Sequence, residues 1–209
     1  MEIYTMKWLV LSLAFLAMSP IAGAQTVAFD FTGNGGVGLL PGSEVGANTS
    51  FGSNSTAFGG ESAAGIIFDT ATNLLDINFS FNNLDGGLLF DAASGIHLHL
   101  PTVAGDPFNQ TGPIVFNLNS FNDAAVTNSN SQILDGATSG TVSAQIDFSN
   151  NLELVDDLLA GEIYLNIHSQ TFSGGELRGT VSPSAVPEPS SAVLLGLALS
   201  TGALLRRRK

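Results

Sequence analysis

The chain contains no cysteine, so it can form no disulfide and offers no cysteine nucleophile, whatever the redox state of its surroundings. Cations are nearly as scarce, with six Lys and Arg against 18 Asp and Glu. Five of those six, Lys7, Arg206, Arg207, Arg208 and Lys209, sit at the two ends of the chain, and only Arg178 lies between. Binding to phosphates needs lysine and arginine to displace counterions, so nucleic acid is excluded as a partner and anionic membrane surfaces are disfavoured. No Gly-x-Ser-x-Gly elbow is present and no serine is placed beside a histidine base. The carboxylates are abundant, but none stands in an aromatic or apolar setting that would raise its pKa for acid catalysis. These absences read as a protein that is not an enzyme.

No apolar run is long enough for a spanning helix, which needs roughly 20 residues. The last 24 residues nevertheless have a definite order: Val186-Pro187-Glu188-Pro189, a mostly apolar stretch from Ala192 to Leu205, and the basic cluster Arg206 to Lys209. Positive charge resists translocation and keeps such an end cytoplasmic. The arrangement resembles the PEP-CTERM sorting signal of Gram-negative bacteria, which implies a membrane transpeptidase-like processing enzyme as partner and transient membrane anchoring through the tail. At the other end, Lys7 precedes an apolar core from Trp8 to Ala17, and Ala22-Gly23-Ala24 supplies small residues for signal cleavage. The expected organisation is a signal peptide over 1–24, one domain over 25–182 and a sorting tail over 183–209. Loss of both ends leaves 16 of the 18 acidic residues with the single cation Arg178. Such a surface suits an exported protein.

The domain reads as all-β. Val27, Phe29 and Phe31 alternate with Ala28, Asp30 and Thr32; Leu75, Ile77, Phe79 and Phe81 alternate with polar residues, as do Val142, Ala144, Ile146 and Phe148. Shorter runs at Gly65–Thr70, Gly95–Leu100, Pro113–Leu118, Gly161–His168 and Glu176–Val181 are separated by Gly, Asn, Asp and Ser clusters, as turns require. One segment has helical spacing, Leu152, Val155, Leu158 and Leu159, with Gly161 placed to cap it. The pattern predicts an antiparallel β-sandwich or Greek-key barrel with one short helix. Residues 33–62 break it: nine of these 30 are glycine and apolar periodicity is absent, which predicts a long mobile loop.

The three histidines are confined to two predicted strands. His97 and His99 in GIHLHL project to one face, opposite Ile96, Leu98 and Leu100. His168 closes GEIYLNIH on a face shared with Tyr164 and Asn166. Two readings stand: polar packing, or a copper or zinc site with three imidazole nitrogens about 2.0–2.1 Å from the ion. Copper–zinc superoxide dismutase also sets His-x-His on a β-strand, but its two metals need more than three histidines and its disulfide is impossible here.

Two segments, GIHLHLPTVAGDPFNQTGPIVFNL (95–118) and LLAGEIYLNIHSQTFSGGELRGTV (158–181), resemble the two halves of the CHRD domain, a module named after chordin and widespread in secreted bacterial proteins. The resemblance spans roughly 65–181 and implies an immunoglobulin-like β-sandwich and an extracytoplasmic location. Leu100 stands where glycine is expected, Ser173 where proline is common and Thr180 where glutamine is common. Glu176 and Arg178, two apart on the last predicted strand, form the expected structural ion pair, with Glu162 as another carboxylate in reach. Two functions follow as expectations: a cell-surface or matrix module contacting surface proteins or polysaccharide, and an extracytoplasmic copper- or zinc-binding protein using His97, His99 and His168.

Overall fold

The computed structural model describes residues 25–45, 52, 54–89, 95–118 and 123–184. The leader, the tail beyond residue 184 and the motif Val186, Pro187, Glu188 and Pro189 lie outside them. Among the described residues no helix is long and apolar enough to cross a membrane.

The strands are β1 (Thr26–Gly33), β2 (Gly36–Val37), β3 (Phe58–Asp69), β4 (Leu74–Asn82), β5 (Ile96–His99), β6 (Ile114–Asn117), β7 (Val126–Thr127), β8 (Gly140–Asp147), β9 (Tyr164–Ile167) and β10 (Leu177–Pro183). They form one antiparallel sheet in the order β6-β5-β9-β10-β1-β3-β4-β8-β7, with β2 paired to β1. The sheet curls into a nearly closed barrel with a single helix, so the barrel is the all-β alternative that the chain adopts. The period-two alternation sends Leu75, Ile77, Phe79 and Phe81 of β4 inward, fully buried, while Asp76 faces solvent.

Among the described residues, no hydrogen-bonded ladder joins β6 to β7. Side-chain hydrogen bonds tie the two edges instead: the Ser129 and Ser131 hydroxyls, just after β7, donate to the Leu118 carbonyl, and the Asn117 N–H donates to the Asp123 carboxylate at 3.0 Å. Inside the seam, the rings of Phe116 and Phe148 meet with centroids 4.7 Å apart, and Phe148 also meets Phe68 at 5.7 Å. The helix α1 (Glu153–Ala160) buries Leu154 and Leu158, and ends at Gly161, whose left-handed φ of 73° lets its N–H reach back to Asp157 and Leu158.

The described residues of 33–62 depart from the loop expected there, and 46–51 and 53 lie outside the described residues. β3 begins at Phe58 and carries a register shift between Glu61 and Ile66, which hides its alternation from a reading of the sequence. After β1 turns into β2, Leu39 bridges to Gly59 and Leu40 to Arg178, so this pair occupies the sheet between β3 and β10 where β1 has ended. Leu39 is fully buried and Pro41 and Ser43 are buried in a short 3-10 turn. The physical reason is apolar: a Leu-Leu-Pro triplet among glycines is enough to dock the segment.

Candidate metal site

All four residues of β5, all four of β9 and the first five of β10 are buried, because both faces of this part of the sheet are covered. One face joins the core through Ile96, Leu98, Leu165, Ile167, Leu177 and Val181. The other is polar. Cross-strand pairing sets His97 opposite Asn166 and His99 opposite Tyr164, and then Asn166 opposite Arg178 and Tyr164 opposite Thr180. The connection 101–112 and the segment around Glu44 lie over it.

His97, His99 and His168 converge as expected, offering ligand atoms that all lie within 4.8 Å of one another. His97 Nδ1 and His168 Nε2 are 3.3 Å apart. Two nitrogens bound tetrahedrally at about 2.05 Å are separated by about 3.3 Å, so this edge already has the spacing of a metal site. Bringing the third nitrogen in needs a closure on the order of 1 Å.

Backbone carbonyls select the tautomers. His99 Nδ1 lies 2.9 Å from the Gly112 carbonyl and His168 Nδ1 lies 2.8 Å from the Ser173 carbonyl. A carbonyl only accepts, so each Nδ1 carries the proton and each Nε2 carries the lone pair. His99 Nε2 is buried and has no hydrogen-bond partner. Metal-binding histidines are commonly oriented by such carbonyls on their second nitrogen. Gly112 serves this arrangement by close approach, since a Cβ there would collide with the Leu100 carbonyl oxygen.

Tyr164 and Arg178 complete the face. The rings of His99 and Tyr164 stack with centroids 4.9 Å apart and an interplanar angle of 6°. The Arg178 guanidinium carbon sits 3.5 Å from the Tyr164 ring centroid, and because β9 runs between β5 and β10 the phenol is sandwiched between imidazole and guanidinium. The Gly112 N–H donates to the Tyr164 hydroxyl at 3.0 Å, which ties the stack to the loop that orients His99.

The Glu176–Arg178 pair expected from the sequence does not form. Arg178 Nη2 donates to the carbonyls of Pro107 and Gln110, each at 2.6 Å. The Glu176 carboxylate accepts from the Ser55 hydroxyl at 2.5 Å and from the Asp85 N–H. Glu162 also serves elsewhere, accepting the Gly105 N–H at 2.8 Å. Loops arriving from three directions supply donors and acceptors closer to each group than the two are to one another. The carboxyls whose field reaches Arg178 are Glu44 and Asp106.

Glu44 lies in the segment to which the sequence assigned no chemistry, and no local pattern announces it. Both of its carboxyl oxygens are buried without a hydrogen-bond partner, although the residue as a whole is only half-buried. Burial raises its pKa from 4.5 to about 8, against the attraction of Arg178. His99 moves the other way, from 6.5 to about 4, chiefly through burial and further through repulsion by His97, His168 and Arg178, with the Gly112 hydrogen bond opposing.

These shifts set opposite pH slopes in the metal-free chain. As pH falls from 6.5 to about 4, the unfolded chain protonates at His99 before the folded one does, and stability is lost. As pH rises from 4.5 to about 8, the unfolded chain ionises at Glu44 first, and stability is again lost. The slopes oppose each other below pH 6.5, and Glu44 acts alone above it. Urea unfolding across pH 6.5 to 8 is expected to show a decline on the order of 1 kcal/mol per pH unit that Glu44→Gln abolishes. A flat wild-type profile would mean that Glu44 is ionised in the fold.

The fold is a nearly closed antiparallel barrel module with a covered polar face that carries three histidines. The chain belongs to the CHRD domain family, whose profile matches residues 41–181. The match takes in the docked segment from Pro41 onward, beyond the 65–181 span of the sequence resemblance. No curated protein and no solved structure matches the chain.

Proposed function

We propose that this CHRD module holds one copper or zinc ion with His97, His99 and His168, and that it acts by binding rather than catalysis. The observation that carries the reading is the pair of carbonyl-locked imidazoles, His99 and His168, which cluster with His97 so that a ligand nitrogen of each lies within 4.8 Å of the others. Polar packing alone gives no reason to bury His99 Nε2 without a donor, since an unsatisfied buried acceptor costs about 1–3 kcal/mol. The bound ion would supply a fixed positive centre at that point.

The ends of the chain support an extracytoplasmic setting for this site. The leader-like residues 1–24 and the tail with Val186-Pro187-Glu188-Pro189 favour export followed by processing at the membrane. The acidic domain, with its lone cation committed internally, favours the envelope or an exopolysaccharide matrix as its surroundings, with surface proteins or polysaccharide as neighbours.

Metal content tests the proposal. The full chain, expressed with its own leader and purified without a histidine tag, is dialysed against trace Cu²⁺ and Zn²⁺ and assayed by elemental analysis. About one ion per chain is expected, falling at least tenfold in His97→Ala/His99→Ala, as loss of two of three ligands requires. Equal metal in both proteins, or none in the wild type, would sink the reading.

A further inference from the structure

We infer that the three-histidine site selects monovalent copper, Cu(I), over both Cu(II) and Zn(II). The inference rests on the metal-binding reading above and deepens it by naming the charge of the ion.

Three observations carry it. Among the described residues, no Asp or Glu joins the three histidines in the ligand group, so every protein donor is neutral. The site is enclosed: His97 and His99 are 5% and 9% exposed. The single cation among the described residues, Arg178, is stacked through Tyr164 onto His99; the residue is 2% exposed and its guanidinium is held by two loop carbonyls. The positive charge is therefore built into the second layer of the site rather than compensated there.

The consequence is electrostatic. The cost of moving an ion out of water grows with the square of its charge, so a dication costs about four times what a monocation costs. Repulsion from Arg178 doubles with the charge of the ion. Three neutral imidazoles can hold a dication when a water fills a further position, but here they leave its second charge uncompensated beside Arg178. Glu44, a carboxyl whose field reaches Arg178, offsets little, because burial favours its protonated form. Imidazole by itself accepts copper and zinc alike, so ligand type does not decide the matter and charge does. Coordination number is compatible, since Cu(I) is satisfied by two or three nitrogens, whereas Zn(II) would need a water as its fourth ligand in an enclosed site.

The midpoint potential of bound copper reads the preference directly, since Cu(II) plus one electron gives Cu(I) without any other change in the protein's composition. The full chain, without an affinity tag, is loaded with one equivalent of copper under anaerobic conditions and titrated with a redox mediator, with the Cu(II) spin signal as readout. The expected potential lies above that of free aqueous copper ions. Arg178→Gln is expected to lower it by at least 59 mV, the equivalent of a tenfold loss of Cu(I) preference, while Arg178→Lys, which keeps the charge, lowers it by less. A tenfold excess of Zn²⁺ is expected to leave Cu(I) in place. A potential at or below the free couple, or displacement by Zn²⁺, overturns Cu(I) selection and leaves the metal site standing. Retention of neither metal overturns both. If the Arg178 variants do not fold, the wild-type potential and the Zn²⁺ competition decide alone.

Discussion

Replacing Arg178 with methionine is expected to cost the fold about 2–4 kcal/mol, measured by urea unfolding at neutral pH. The methionine keeps most of the apolar stem in place, so the change isolates the guanidinium. That group donates two hydrogen bonds of 2.6 Å to the Pro107 and Gln110 carbonyls and lies on the Tyr164 ring. Hydrogen bonds to a charged group contribute about 1.5–3 kcal/mol each and a partly desolvated cation–π contact about 0.5–2. Part of that is offset, because the variant no longer buries a charge. The segment 101–112 would remain tied by Glu162 and Tyr164, so the expected failure is a loosened loop over the histidines rather than a lost barrel. A cost under about 0.5 kcal/mol would mean that those remaining ties hold the loop by themselves.

Phe148→Ala is expected to be the most damaging core truncation, at about 3–5 kcal/mol. Its ring sits against both Phe68 of β3 and Phe116 of β6, so one side chain packs both halves of the sheet at the place where backbone pairing is missing. Removing it opens a cavity at a seam that no ladder of hydrogen bonds supports. Phe58→Ala is the matched control: Phe58 is 48% exposed on β3, and its loss should change stability by no more than about 0.5 kcal/mol. Thermal or denaturant melts that ranked the two equally would contradict the seam as the weak point of the barrel.

The histidine site was legible in part. That His97 and His99 share a face follows from strand pleating alone, and so does the common face of Tyr164, Asn166 and His168. Pairing β5 with β9, which sets His99 beside Tyr164, is a matter of register, and nothing local in GIHLHL or GEIYLNIH specifies it. The carbonyls of Gly112 and Ser173, which choose the tautomers, leave no side-chain signal at all. Glu44 was hidden for a related reason: its environment comes from strands far along the chain, and its own neighbours are glycines, Ser and Val.

The expected Glu176–Arg178 pair is the instructive failure. Spacing of two on a strand does put both side chains on one face, and opposite charges so placed can meet. Partner choice depended instead on the loops around 55, 85 and 107–110, each of which delivers a backbone or hydroxyl group to one of the two.

The sequence by itself determined the β class, the inward and outward faces of the strands, the short helix with its Gly161 cap, and the placing of His97 and His99 on one strand with His168 at the end of another, one residue past β9. Those properties depend on periods of 2.0 and 3.6 residues and on glycine's freedom in φ, which act over a few neighbours. Only the tertiary structure decided the closure of the barrel, the docking of Leu39 and Leu40 into the sheet, the partners of Arg178 and Glu176, and the direction of the histidine lone pairs. Each of these is a contact between segments tens of residues apart, satisfied by whichever polar or apolar group the folded chain brings nearest, and no local pattern encodes that distance.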